Sequence, residues 1–413
     1  MLTRKSRARA ISLAILGMLA LLLPAGLTIA AGPATPARAA QSDQPRDAQQ
    51  WVLDMLNAPA AWTVTQGAGV TVAVIDSGVN PDVSDLTGSV ITGPDYTGVG
   101  TSPSNPNWGQ HGTWMASLIA GHGHDGDSGI LGIAPQSKVL SIRVITDPSD
   151  PGYRRYQREP TARVQQSLAT GIRYAVVHGA GVISMSIGYG GPSRPVRSAL
   201  QYAYDHNVVV LASAGNSGRS AAAHAPYSFP ADYPGVIGVA AVGQDAVAAG
   251  FSSDNLSVQL AAPGVNVPAQ GRDGAYWLVS GTSPACALTA GVAALIKAAY
   301  PRLSVALVAT ALRSSTQNRP PGGYDDSVGF GTVDAAAALA AARRLAADPA
   351  AAAGLPLAIH FGGGSAAVPP APIFKRGDEM LILFALLAFT SLALAVAAVT
   401  RIIVLRRFRP GTG

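Results

Sequence analysis

Val70-Thr71-Val72-Ala73-Val74-Ile75-Asp76-Ser77-Gly78 is a run of β-branched and small apolar residues that stops on an acid and a turn. It shows neither strict polar alternation nor a helical period, as expected of a strand covered on both faces, the mark of a parallel sheet. Runs of the same kind recur downstream at 139–145, 181–187, 208–212 and 236–242. Helical patterns at 114–121, 164–178, 197–206 and 284–299 fall between or after them, and further helices are expected at 305–312 and from 335 to about 347. Strands alternating with helices predict an α/β fold, a parallel sheet with helices on both faces. No internal repeat interrupts the pattern.

The ends of the chain have a different composition. Residues 1–40 read as an export signal: Arg4, Lys5, Arg7 and Arg9, an uncharged run over 10–32, then small residues to Ala40, with cleavage after Ala39 or near Ala30. An uncleaved anchor is the alternative. Residues 41–66 form a polar, then weakly amphipathic extension. Residues 348–379, rich in Ala, Gly and Pro, read as a linker. Residues 380–400 carry no charge over a length that spans a bilayer, and 401–413 form a basic tail. Arg401, Arg406, Arg407 and Arg409 after that span predict a cytoplasmic C-terminus and a body outside the membrane.

The formal charge of +6 sits in these ends. With the eight terminal arginines and lysines removed from 29, 21 basic residues face 23 acidic ones, a net −2. That argues against nucleic acid as a partner and for membrane topology. Cys286 is the single cysteine, so no intramolecular disulfide forms and stability rests on burial.

Four positions carry the chemistry. Asp76 ends a strand, where open α/β sheets bind ligands. His111-Gly112-Thr113 opens a helical run after a polar loop, and an imidazole with an ordinary pKa of about 6.5 suits a base near neutrality. Asn216 ends another strand and can donate an N–H to a developing oxyanion. Ser283 follows Gly281-Thr282 at the mouth of a helix, near backbone N–H groups. Each has a plainer reading alone: Asp76 and Asn216 as turn residues, Ser283 as a helix cap. Together, in the order Asp–His–Asn–Ser, they point to acyl transfer.

The chain resembles the subtilisin-like (subtilase) serine peptidases over about residues 51–341. The matching blocks are Val72-Ala-Val-Ile-Asp76-Ser-Gly78, His111-Gly-Thr113 with Gly129-Ile-Leu-Gly-Ile-Ala-Pro135, Ser184-Met-Ser-Ile-Gly188, Ala212-Ser-Ala-Gly-Asn216, Ala261-Ala-Pro-Gly264 and Gly281-Thr-Ser283. The resemblance implies a subtilisin-like fold over 67–347 and an endopeptidase acting on polypeptides. Asp76, His111 and Ser283 would be the triad, and Asn216 with the Ser283 N–H the oxyanion site. Ser186, Ile187, Gly188, Ala212, Ser213, Ala214 and Gly215 would flank the substrate pocket. No cofactor or catalytic metal is implied, and a structural calcium is left open.

Two departures stand out. Pro284 and Cys286-Ala287-Leu288 replace the small or Met residue and Ala-x-Pro-His that usually follow the nucleophile, and there is no room before Val70 for a domain-sized propeptide. The short extension and the C-terminal span are similar to mycosins, the subtilases associated with type VII secretion in actinobacteria. That implies a membrane-anchored peptidase, or alternatively a structural subunit of a secretion complex in which proteolysis is secondary. Two further stretches remain. His122-Gly-His124-Asp125-Gly-Asp127 has metal-ligand residue types but the spacing of a solvated loop. The insertion at 147–160, with Arg154, Arg155 and Arg158, lies near the groove implied by the resemblance, as a selector for acidic substrates or a solvated loop.

Overall fold

The computed structural model describes residues 45–218, 224–348 and 378–407. The signal read at 1–40, nearly all of the linker read at 348–379 and residues 408–413 of the tail lie outside them. The chain divides after Gly354 into two units.

The first unit is built on a seven-stranded parallel sheet. Its strands are β1 (Thr71–Asp76), β2 (Val90–Asp95), β5 (Lys138–Arg143), β6 (Val182–Met185), β7 (Val209–Ser213), β8 (Val236–Val242) and β9 (Val258–Pro263), in the order β2-β5-β1-β6-β7-β8-β9. Because successive side chains point to opposite faces, β1 divides its residues between two cores. Val72 and Val74 join one, and Ala73 and Ile75 the other. The first face is covered by α3 (Gln110–Ala120), α7 (Thr282–Ala299), α8 (Val305–Ser314) and α9 (Ala335–Ala347). The second is covered by α5 (Thr161–Val177) and α6 (Arg194–Asp205). β2 and β9 were not legible in the sequence. β2 is a half-exposed edge strand holding Gly93 and Pro94, which an unpaired edge tolerates.

α7 runs through the larger core, with every residue from Thr282 to Lys297 buried. Its Thr, Pro, Gly and Val make it a modest helix former alone, so packing holds it in shape. The extension contributes α1 (Pro45–Met55) and α2 (Ala58–Trp62), whose Val52, Leu53, Ala58 and Ala61, with Leu56 between the helices, join the same core as α7 and α9. Residues 122–131 form a small antiparallel pair, β3 (His122–His124) with β4 (Ser128–Leu131), rather than a free loop. α1 grips that pair. Arg46 Nε and a terminal nitrogen each lie 2.9 Å from the carbonyls of Gly129 and Ser128. Gln49 exchanges hydrogen bonds of 2.6 and 2.9 Å with the Leu131 backbone. A short helix α4 (Tyr153–Tyr156) lies in the insertion, and β10 (Val267–Gln270) pairs antiparallel with β11 (Tyr276–Val279) ahead of α7.

In the second unit, α10 (Asp378–Arg407) contains the window Ile382–Arg401, long and apolar enough to cross a membrane and not buried against protein.

Candidate active site

β1, β6 and β7 are neighbours and end at the same edge of the sheet, with Met185 level with Ala212. That edge therefore collects Asp76, the segment Ser186–Ile187–Gly188 and the segment Ala212–Ser213–Ala214–Gly215, all buried.

His111 enters on α3, whose N-cap residue Gly109 supplies no side chain. The first N–H groups of a helix lack partners within it. Here they are satisfied from outside: Gln110 N donates to Asp147 Oδ2 at 2.8 Å, His111 N to Asp147 Oδ1 at 3.1 Å, and Gly112 N to Ser77 Oγ at 3.0 Å. Gly112 is required at its position, because a Cβ there would sit 2.1 Å from the Gly78 carbonyl. This close contact lets the imidazole reach the end of β1.

The ring is held there by Asp76, whose Oδ1 lies 2.8 Å from His111 Nδ1, with the two side chains 1% and 11% exposed for Asp76 and His111. An ionised carboxylate can only accept, so Nδ1 carries the hydrogen and Nε2 is the basic nitrogen. Ser77 N also donates to Asp76 Oδ1, at 2.6 Å. Burial opposes protonation of His111. The negative charge of Asp76, their hydrogen bond and the charge of Asp147 together outweigh it and raise the pKa.

Ser283 occupies the second position of α7, 2% exposed, with no hydrogen-bond partner for its Oγ among the described residues. Its carbonyl accepts from Ser186 Oγ at 3.3 Å. Pro284 lies in the first helical turn, where its missing N–H breaks no helical bond, so the unusual residue after the serine leaves the helix entry intact.

Asn216 is fixed by its oxygen. Thr282 N and Thr282 Oγ1 both lie 2.9 Å from Oδ1, and Gly215 N donates to the same hydroxyl at 3.1 Å. The Nδ2 side therefore faces Gly281, where an added Cβ would stand 3.3 Å from it. Gly281 has φ 154°, which only glycine adopts readily.

Comparison with known proteins gives a match to the subtilase family over residues 67–331. The chain belongs to the subtilase family of serine peptidases. Thermitase of Thermoactinomyces vulgaris is 34% identical over 248 residues, 60% of this chain and 82% of that protein. Mycosin-1 of Mycobacterium tuberculosis is 33% identical over 332 residues, 70% of this chain and 72% of that protein. Two solved structures share the fold. MycP1 from Mycobacterium smegmatis has a TM-score of 0.60 and 29% identity, covering 76% of this chain and 89% of the other. The MycP3 protease from the type VII (ESX-3) secretion system has a TM-score of 0.61 and 29% identity, covering 73% and 90%.

In this subtilase two supporting residues escaped the sequence reading. Arg143, at the end of β5 and 1% exposed, donates Nε to the Ser77 carbonyl at 3.0 Å and pairs with Asp95 and Asp150 at 2.6 Å each. A cation inside a run that is otherwise uncharged from Val139 to Ile145 was the available signal. Asp147 was read only as the start of an insertion. Arg154, Arg155 and Arg158 in that insertion are exposed, while Tyr156 is buried against the second core.

Cys286 is inert as a nucleophile: burial pushes its thiol up to about 12, and its Sγ lies 3.8 Å from Ser184 Oγ. The histidines of β3 are engaged. His124 Nδ1 meets the buried carboxylate of Asp85 at 2.7 Å, and both ring nitrogens of His122 face carbonyls. Among the described residues, His224, Asp254 and Asp326 bring metal-ligand atom types within 4.8 Å of one another. His224 is mostly exposed and lies 3.1 Å from Asp326 Oδ2, the geometry of a surface ion pair.

Proposed function

We propose that Asp76, His111 and Ser283 act as the triad of a membrane-anchored endopeptidase working outside the cytoplasm. The observation that carries this is the buried 2.8 Å contact of His111 Nδ1 with Asp76, on a sheet edge shared with the helix start that bears Ser283. Ser283 Oγ attacks the scissile carbonyl, and His111 Nε2 takes its proton and passes it to the leaving amine. Asp76 holds the tautomer and stabilises the imidazolium. Asn216 Nδ2 and the Ser283 N–H receive the oxyanion, and water then hydrolyses the acyl-enzyme. These groups supply every proton and charge, so the proposal includes no cofactor. The segments Ser186–Gly188 and Ala212–Gly215 flank the substrate's first pocket.

Anchoring is supported by the apolar window of α10, and the four arginines after it favour a cytoplasmic C-terminus. The likeness to Mycosin-1 and to a protease from a type VII secretion system supports a link to protein export. The test is fluorophosphonate labelling of the detergent-solubilised full chain. Wild type is labelled and Ser283→Ala is not; an unlabelled, folded wild type overturns the assignment. Comparing secretion in Ser283→Ala with deletion of residues 380–400 separates proteolysis from scaffolding. Loss in both supports the peptidase role, and loss in the deletion alone supports the scaffold.

A further inference from the structure

We infer that Asp147 is a positioning residue for the base, orienting His111 through its helix and adding a second negative charge behind the imidazole. The inference rests on the triad assignment above. Asp147 sits in the loop after β5, 6% exposed, outside the Asp76–His111–Ser283 set. Both carboxylate oxygens are committed to the helix that carries His111, one to Gln110 N and one to His111 N.

Capping alone does not require a charge in this place. Ser, Thr or Asn caps a helix comparably well. A buried carboxylate is the more costly choice, and burial pushes the Asp147 carboxyl up to about 6 even though His111 and its own hydrogen bonds pull it down. The groups facing it explain the choice. From α3 it faces His111, from the end of β1 it faces Asp76 and the Ser77 hydroxyl, and from the turn before β11 it faces the half-buried Arg272. Asp76 disfavours its ionisation and His111 favours it. Its interaction with His111 is therefore strongest once the imidazole is protonated, the state formed when Ser283 is deprotonated. An interaction that strengthens along the reaction coordinate raises turnover rather than substrate affinity.

The neighbouring contacts keep the loop in place. Asp150 N donates to the Asp147 carbonyl at 3.0 Å, and Asp150 is itself held by Arg143. Arg143 also holds the Ser77 carbonyl, so one buried guanidinium braces both partners of the α3 N-terminus. Asp147 and His111 titrate close enough in space that the acid side of the activity profile belongs to the pair.

The experiment measures kcat and KM against pH for the solubilised full chain, with active sites counted by fluorophosphonate labelling. Asp147→Asn removes the charge and Asp147→Ser keeps a single acceptor, so one serves if the other does not fold. Both are expected to lower kcat between about 10- and 100-fold with KM nearly unchanged, and to move the acid midpoint to lower pH. Asp147→Glu restores the charge and returns the midpoint toward wild type. A fall in kcat with an unmoved midpoint reduces Asp147 to a helix cap and overturns the inference, as does an unchanged kcat. If wild type itself is not labelled, the triad assignment fails instead.

Discussion

Among the described residues two helices are apolar enough to cross a bilayer, and their surroundings are opposite. α7 is 89% buried inside the first unit, whereas no part of the α10 window is buried. α7 is the less apolar of the two and has the smaller side chains. α7 places Ala285, Ala287, Ala290, Gly291, Ala293 and Ala294 against strands and helices on several sides, where small residues permit close approach. α10 carries Leu383, Phe384, Leu386, Leu387 and Phe389 around its circumference, with no polar stripe to turn toward water. At 30 residues it is about 45 Å long, more than a bilayer's hydrocarbon core. A hydropathy window alone selects both; neighbours and residue size separate the helix buried in protein from the candidate membrane span.

The sharpest test of that contrast is at the head of α7. Ser283→Ala is expected to cut turnover by about 10⁶, the magnitude known for triad deletions in subtilisin, while leaving membrane retention as in wild type. Fractionation and peptide hydrolysis read the two separately. Next come matched arginines. Ala294→Arg buries an unpaired charge in the main core and is expected to cost more than about 4 kcal/mol, seen as loss of folded, labelled protein. Leu392→Arg opposes insertion by about 3 kcal/mol, depleting the membrane fraction while activity per labelled site stays constant. If the two substitutions behave alike, the division of labour between the helices is wrong.

Asn216→Ala is expected to lower kcat by about 10²–10³ with little change in KM, the range known for the oxyanion asparagine of subtilisin. The mildest effect is on pH. Because His111 has a raised pKa, kcat/KM is expected to fall, as pH drops, through a midpoint above the ordinary imidazole value of about 6.5. The same shift makes this group's contribution to stability complete below its unfolded pKa and lost as pH rises through the folded value. A midpoint at or below the ordinary value would show that burial outweighs the two carboxylates.

Legibility followed the length and purity of the apolar run. The strands ending in Asp76, Met185 and Ser213 were readable because both faces are covered, which writes an unbroken apolar run into the sequence. β2 was not, as a half-exposed edge strand holding Gly and Pro, and neither were β9 and β10, which are buried but broken by Gln and Pro, nor β11, whose four residues are too few to show a period. Asp76, His111, Asn216 and Ser283 were found through their order and local blocks. Asp147 was missed because its role depends on a contact 36 residues away in sequence, with His111 N. Nothing in Thr146-Asp147-Pro148 distinguishes a helix cap from a turn. His122 and His124 were misread as part of a loop because their partners, at Thr87 and Asp85, are equally remote.

The grip of α1 on β3–β4 is matched at its other end by Ala335 N, which donates to the Leu56 carbonyl at 2.8 Å, and by Gln317, which donates to the Met55 carbonyl. The first described helix thus completes its contacts only with residues near the start of α9, some 280 positions later. For a chain made from its N-terminus, α1 cannot complete its contacts until the start of α9 has been made. Folding of the first unit, and any peptidase activity that depends on it, would then wait for almost its whole length.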